Sequence, residues 1–385
     1  MKKLGKEVLM LPRTKNNMRN GEGSFLRLKD GRILYAYTKY FGEGYDDHHQ
    51  AYIAATYSSD EGETWSEPEV FFEKAEDEQN IMSVSLIRME NGDLGFFYLQ
   101  KKMIDGYFVC RPMLRRSSDD GKTFSEPVAI IESGYSCLIN DRVTRLKSGR
   151  IILTTAKHSE HVRVSDDNVY TGFCPGFLEV YYSDDDGRSF KKSPAKICSP
   201  INNRFGLAEP GIFELPDGRL WLYTRTGYGY QYQSFSSDGG ISWSPLEANY
   251  KFTSSSSPMK VFSVGKTAFA ILNPMPWTGA FALRDVWGVK QDRTPFIMAM
   301  DTDGGNFFIE KDFSSRVGEF LPFVKHCCYI EDSFEDTYCY PAAIEVKDGI
   351  LVAYYHSNGS GAELSSGKIT KITFAEIESV INPEA

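Results

Sequence analysis

Apolar and polar positions alternate with a period of two along most of the chain, and six times a turn interrupts the alternation. The paired runs are FLRLKDGRILYAY around Gly31, LIRMENGDLGFFY around Gly92, VTRLKSGRIILTT around Gly149 and IFELPDGRLWLYT around Gly218. A worn copy, VFSVGKTAFAIL, surrounds Gly265, and AIEVKDGILVAYY surrounds Gly349. A period of two sends successive side chains to opposite faces of a strand, and Asp-Gly or Asn-Gly between two such runs is a strong hairpin signal. The pattern predicts six β-hairpins and little helix.

A second motif is interleaved with the first. It reads SSDEGETW from Ser58 to Trp65, SSDDGKTF from Ser117 to Phe124, SDDDGRSF from Ser183 to Phe190 and SSDGGISW from Ser236 to Trp243. DTDGGNFF, from Asp301 to Phe308, is a degenerate fifth copy. The Asp suits a turn because it accepts from turn amides, the Gly permits positive φ, and the aromatic ring can plug a gap between sheets. These copies are therefore expected to be structural rather than catalytic. Hairpin and motif alternate about every 50 to 80 residues, one four-stranded unit each, with the motif between the third and fourth strands. Six such units predict an all-β fold, a six-bladed β-propeller of four-stranded antiparallel blades, as a single domain over residues 1–385. A strand near Val8 to Leu11 is expected to complete the last blade. Longer inserts at Glu73 to Ile81, Lys157 to Phe173 and Asp312 to Asp336 are expected to shape a binding face.

Composition narrows the function. A formal net charge of −9 disfavours nucleic acid and acidic membranes as general partners, while leaving room for an anionic small substrate at a local cluster of arginines. No run is long and apolar enough for a signal peptide or a membrane span. The seven cysteines include no CxxC pair, an odd scattered set that suits a reduced, cytoplasmic protein. His48 and His49 lie beside Asp46 and Asp47, but adjacent residues on an extended segment face opposite ways, so no metal is expected. No phosphate loop and no Ser-His-Asp arrangement stands out, and no cofactor is implied. Open faces of the units leave a homo-oligomer open.

The Ser-x-Asp-x-Gly-x-Thr-Trp motif is the Asp box, and the chain resembles the sialidase (neuraminidase) superfamily of BNR-repeat propellers. The resemblance spans the whole chain as a repeat pattern and the site at a few positions. AEPGIFELPDGRLWLYTR resembles the strand pair that supplies the glutamate activating a nucleophile and an arginine clamping a carboxylate, which implies Glu209 and Arg225. RTPFIMAMDTDGG implies Arg293 as a second clamp arginine. YCYPAAIEVKDG implies Tyr340 as nucleophile, with Tyr338 as its alternative, and YDDHHQ implies Asp47 as general acid, with Asp46 beside it. The chain departs from the family at GEGSFLRL, where Gly21 stands in place of the first clamp arginine and Glu22 follows it. Arg19 has the same facing parity about 7 Å along the strand. Arg142 and His158 are further candidates to compensate. Each residue also has a bland reading, as a strand aromatic, an ion-pair partner or a solvated loop acid.

The resemblance implies an exo-acting, retaining glycoside hydrolase. A Tyr/Glu nucleophile pair suits an anionic sugar because a neutral phenol approaches it without charge repulsion. Arginine forks match the substrate carboxylate. The expected partner is a carbohydrate, sialic acid or a related acid. Alternatives are a uronic-acid-directed hydrolase, a polysaccharide lyase and a non-catalytic glycan-binding propeller.

Overall fold

In a computed structural model the described residues are 1–42, 44, 46–165, 169–200, 206–274, 293–310, 324–358 and 364–384. The fold is all-β. Strands Asn20–Arg27, Ile33–Tyr40, Ala51–Ser58 and Glu69–Phe72 form one antiparallel sheet. Ala208–Glu214, Leu220–Arg225, Tyr230–Ser236 and Glu247–Thr253 form another. Lys260–Val264, Thr267–Leu272, Phe296–Asp301 and His326–Glu331 form a third of the same design. In the last, Thr337–Val346, Gly349–Ser357 and Ser366–Thr373 are completed at the outer edge by the N-terminal strand Lys6–Leu11, paired from Lys6 with Lys371 to Leu11 with Gly367.

The remaining two units depart from the expected separation. Glu78–Arg88, Leu94–Ile104 and Tyr107–Ser117 are joined through Tyr135–Cys137 to Ile151–Ser159, Phe177–Ser183 and Lys191–Ile197 in one nine-stranded sheet. The link is a parallel pairing of Tyr135 with Cys110, where the Cys110 amide donates to the Gly134 carbonyl at 3.1 Å. The insert expected at 73–81 is shortened from its far end, since the Glu78–Arg88 strand begins inside it. Much of the insert expected at 312–336 lies outside the described residues, and His326–Glu331 within it is the fourth strand of its sheet.

The turn motifs behave as their chemistry dictates. Asp60 accepts from the Thr64 amide and hydroxyl and from Ser58, and Ser58 in turn accepts from the Gly62 amide at 2.8 Å. Those donors hold the Asp60 carboxyl down at about 2, and Asp119, Asp185 and Asp238 are held likewise. In the degenerate copy the first-position Asp301 takes over, accepting from the Asp303 and Phe307 amides, and a short helix, Asn306–Ile309, replaces the turn. A second helix, Phe374–Ile381, starts from a capping box between Thr373 and Glu376.

Apolar side chains fill the space between neighbouring sheets. Trp221 packs on Phe213, Phe252 and Phe308, and Phe71 on Phe96 and Phe124. Truncating so large a buried ring as Trp221 costs about 3–5 kcal/mol. The first strands of the sheets meet on the inside. Asn20–Arg27 packs on Glu78–Arg88 and on Thr337–Val346, and Lys260–Val264 packs on Ala208–Glu214 and Thr337–Val346.

The segment Asn140–Arg142 crosses this centre. Asn140 Nδ2 donates to the carbonyls of Gly23 (2.9 Å) and Tyr340 (3.3 Å). The Asp141 carboxylate accepts from Ser24 Oγ and the Ala343 amide, and Lys260 Nζ lies 2.7 Å from it. Arg142 donates to the Met259 carbonyl at 2.6 Å. Three consecutive side chains thus tie strands from several sheets together.

Candidate active site

Four first strands carry a register shift, at Gly21/Ser24, Met82/Ser85, Ala208/Gly211 and Cys339/Ala342. Each shift holds one non-glycine residue in the left-handed region: Glu22 (φ 52°), Ser83 (57°), Glu209 (51°) and Tyr340 (57°). Asp141 (56°) is the equivalent residue on the crossing segment. Such a conformation costs about 1–3 kcal/mol per residue and persists where packing over-determines it. A bulge also re-aims the side chain it carries. All four bulge residues line one cavity of about 730 Å³.

Glu209 and Tyr340 meet there. The Tyr340 hydroxyl donates to Glu209 Oε1 at 2.5 Å, and Arg225 Nη1 donates to Oε2 at 2.7 Å. Burial would raise the Glu209 carboxyl, but Arg225, the tyrosine's hydrogen bond and Arg293 outweigh it and hold it below its ordinary range. Burial, reinforced by the Glu209 charge, pushes the Tyr340 phenol well up. The pair therefore rests as phenol and carboxylate, the protonation states a nucleophile and its base require. Arg293 lies with its guanidinium 5.6 Å from the Tyr340 ring centroid and donates to Cys339 Sγ at 3.3 Å. Arg225 Nε reaches Ser256 Oγ at 3.1 Å.

Asp47 also lines the cavity, with its side chain 58% exposed. Burial of its environment favours the protonated form, but Arg19, at 2.6 Å, and Lys101 prevail and hold its carboxyl well below the usual range. Lys101 Nζ donates to the Asp47 carbonyl at 2.6 Å. Arg19 also binds Glu22 and donates from Nε to Tyr355 Oη at 2.8 Å, and Glu22 accepts from Ser83. A Cβ at Gly21 would fall 2.3 Å from the Tyr355 ring, so no arginine fits at that position.

The cavity brings together Asp47, His158, Glu209, Arg225, Arg293 and Tyr340. The other candidates face elsewhere. Tyr338 is buried among Phe296 and Tyr354, its ring stacked on His356. Asp46 turns outward to the His49 ring at 2.6 Å and to the His48 amide. Arg142 is committed to Met259 and to the Tyr223 ring, and Arg19 is enclosed by its own partners behind the wall. Lys101, Ser83, Glu22 and Ser256 join the site without having been singled out as functional. Lys101 sits in an ordinary strand run, LGFFYLQKKMI, and Ser256 in a serine stretch that offers no chemical signal. Among the described residues no group of His, Cys, Asp and Glu could hold a metal ion.

A family model described as a BNR repeat-like domain matches residues 31–353. A comparison with curated proteins gives no match. A protein of unknown function from Dyadobacter fermentans superposes with TM-score 0.69 at 17% identity, over 96% of this chain and 98% of that one. The NanB sialidase of Streptococcus pneumoniae superposes with TM-score 0.67 at 14% identity, over 97% of this chain and 71% of that one. The intramolecular trans-sialidase of Ruminococcus gnavus gives TM-score 0.66 at 15% identity, over 96% and 97%. With a family model matching most of its length, the chain belongs to the BNR repeat-like family, and it shares its fold with the sialidases it superposes on.

Proposed function

We propose that the protein is an exo-acting, retaining glycoside hydrolase for a terminal anionic sugar, built as one six-bladed propeller over residues 1–385 and working in the cytoplasm. The observation that carries the reading is the Tyr340–Glu209–Arg225 chain of hydrogen bonds opening into a cavity that also holds Arg293 and Asp47.

Tyr340 Oη attacks the anomeric carbon and its proton passes to Glu209 Oε1. The glycosidic C–O bond breaks, and the leaving oxygen takes a proton from Asp47. In the second half, Asp47 accepts a proton from water as the water oxygen attacks the anomeric carbon, the bond from that carbon to Tyr340 Oη breaks, and Glu209 returns its proton to the departing phenolate. Two inversions give net retention. Arg225 and Arg293 supply the cationic forks for the substrate carboxylate. Hydrolysis of the 4-methylumbelliferyl glycosides of N-acetylneuraminic acid and of glucuronic acid tests the reading. Release of the fluorophore from either is expected, and turnover of neither would sink it.

A pH dependence follows from Asp47. As a general acid it needs its proton, yet Arg19 and Lys101 favour the carboxylate, so kcat/KM is expected to rise as pH falls below neutral. Lys101→Met removes one of the two cations and raises the Asp47 pKa, moving the profile by about one unit toward higher pH. An unmoved profile would argue against Asp47 as the proton donor.

A further inference from the structure

Lys101 enters the mechanism above only as a neighbour of Asp47, yet its ammonium is far from satisfied. The side chain is 2% exposed and shares a face of the strand Leu94–Ile104 with Leu99, and both line the cavity. An ammonium carries three donors. One of them meets the Asp47 carbonyl at 2.6 Å, and the Tyr135 ring centroid stands 5.8 Å from the nitrogen. Among the described residues no carboxylate pairs with Lys101, because Asp47 and Glu22 each turn a carboxylate oxygen to Arg19. A buried cation left in this state is costly until an anion or further acceptors reach it.

A second observation, independent of the charge, lies at the same end of the cavity. The insert expected at 157–173 brings Phe173 to the lining, 46% exposed, its ring edge-on to Tyr135 at 4.9 Å. Tyr135 is itself fixed by His48, whose Nε2 lies 3.1 Å from the phenol oxygen. A half-exposed aromatic ring on an anchored partner offers an apolar face to a sugar ring. Tyr135 thus joins the two features, with the Lys101 ammonium near its ring and Phe173 against its edge. Asp47 fixes which side of the scissile bond they serve. It protonates the leaving oxygen in the mechanism above, and Lys101 grips its carbonyl, so this end of the cavity faces the leaving group.

We propose that Lys101 and Phe173 form a leaving-group subsite for a sugar that is itself acidic, its ring against Phe173 and its carboxylate or sulfate on the Lys101 ammonium. The subsite rests on the hydrolase reading for the side of the bond it occupies, and it names the second sugar of the substrate. The preferred glycan then carries acidic groups on both sides of the bond that is cleaved.

Binding tests the subsite without turnover. The probes are D-galacturonic acid, D-galactose 6-sulfate and D-galactose, titrated calorimetrically into wild type, Lys101→Met and Phe173→Ala, with melting curves to verify folding. Wild type is expected to bind the better of the two acids about tenfold more tightly than galactose, and the comparison of carboxylate with sulfate decides which acid the ammonium serves. Lys101→Met is expected to bring both acids to the level of galactose. Phe173→Ala is expected to weaken all three probes a few-fold while keeping the preference for acid. An acid preference that survives Lys101→Met, at full strength or with all three probes weakened alike, would overturn the subsite and leave Lys101 a tie for the Asp47 carbonyl. Failure of wild type to bind either acid would overturn it too. If Lys101→Met melts far below wild type, Phe173→Ala still decides, because its ring is half exposed, and unchanged binding of the acids there would sink the proposal. Fluorophore release from the 4-methylumbelliferyl glycosides is read separately. Hydrolysis without an acid preference removes the subsite alone, and an acid preference without hydrolysis removes the hydrolase reading alone.

Discussion

Tyr340→Phe is expected to lower kcat by about 10³-fold or more while leaving the fold in place. The phenyl ring keeps its packing, edge-on to Tyr355 at 5.9 Å and under Arg293, so only the oxygen is lost. That oxygen forms the covalent bond in the first step, and deleting a nucleophile that acts as a unit with its base removes most of the catalysis the unit supplies. Glu209→Gln tests the other half. An amide of the same shape can accept from Tyr340 or from Arg225 but not from both, and it cannot take the proton, so loss of the general base costs about 10²–10⁴-fold. Combining the two changes should cost little more than Tyr340→Phe alone, because both remove one step. Multiplicative losses in the double variant, or a Phe variant within a few-fold of wild type, would show that Tyr340 is not the nucleophile. Melting temperatures of the three proteins exclude a trivial loss of structure.

The parts of this molecule legible in its sequence are those written in local chemistry. Each hairpin announces itself through alternation and a turn glycine, and each Asp box through a side chain that serves its own turn. Glu209, Arg225, Arg293 and Tyr340 were singled out through the resemblance to the sialidase family, and all four line the same cavity. What stayed hidden depends on the assembled centre. Left-handed glutamate, serine and tyrosine carry no turn signal, since their conformation is imposed by strands from other sheets. Gly21 looks like a lost arginine until the Tyr355 ring is seen to fill the space. Arg142 is a candidate to compensate for the missing arginine, yet its guanidinium is spent on the Met259 carbonyl as part of a crossing tie. The union of two units in one sheet, through Tyr135 and Cys110, rests on a parallel pairing that no hairpin rule foresees.

That crossing tie supports the second large effect. Asp141→Gly is expected to destabilise the protein by about 3–5 kcal/mol, the usual cost of breaking a buried ion pair by removing one partner. Lys260 is the group left behind. Its side chain and that of Asp141 are only 14% and 15% exposed, and burial already pushes the Lys260 ammonium down from its ordinary range. Ser24 and the Ala343 amide lose an acceptor as well. Glycine is chosen over alanine because φ is 56° at this position, where an added Cβ would bring strain unrelated to the charge. The double variant Asp141→Gly/Lys260→Met removes the stranded charge and should recover more than half of the loss, so the two sites are coupled rather than additive. Equal loss in single and double variants would mean that the hydrogen bonds to Ser24 and Ala343, not the ion pair, hold the centre. The same substitution should reach the chemistry. Ala343 follows Tyr340 by three residues, and the neighbouring Asn140 donates to the Tyr340 carbonyl. Loosening Asp141 therefore frees the bulge that points the phenol at Glu209. A fall in kcat in the repaired double variant, measured where the protein is still fully folded, would separate this positioning role from stability alone.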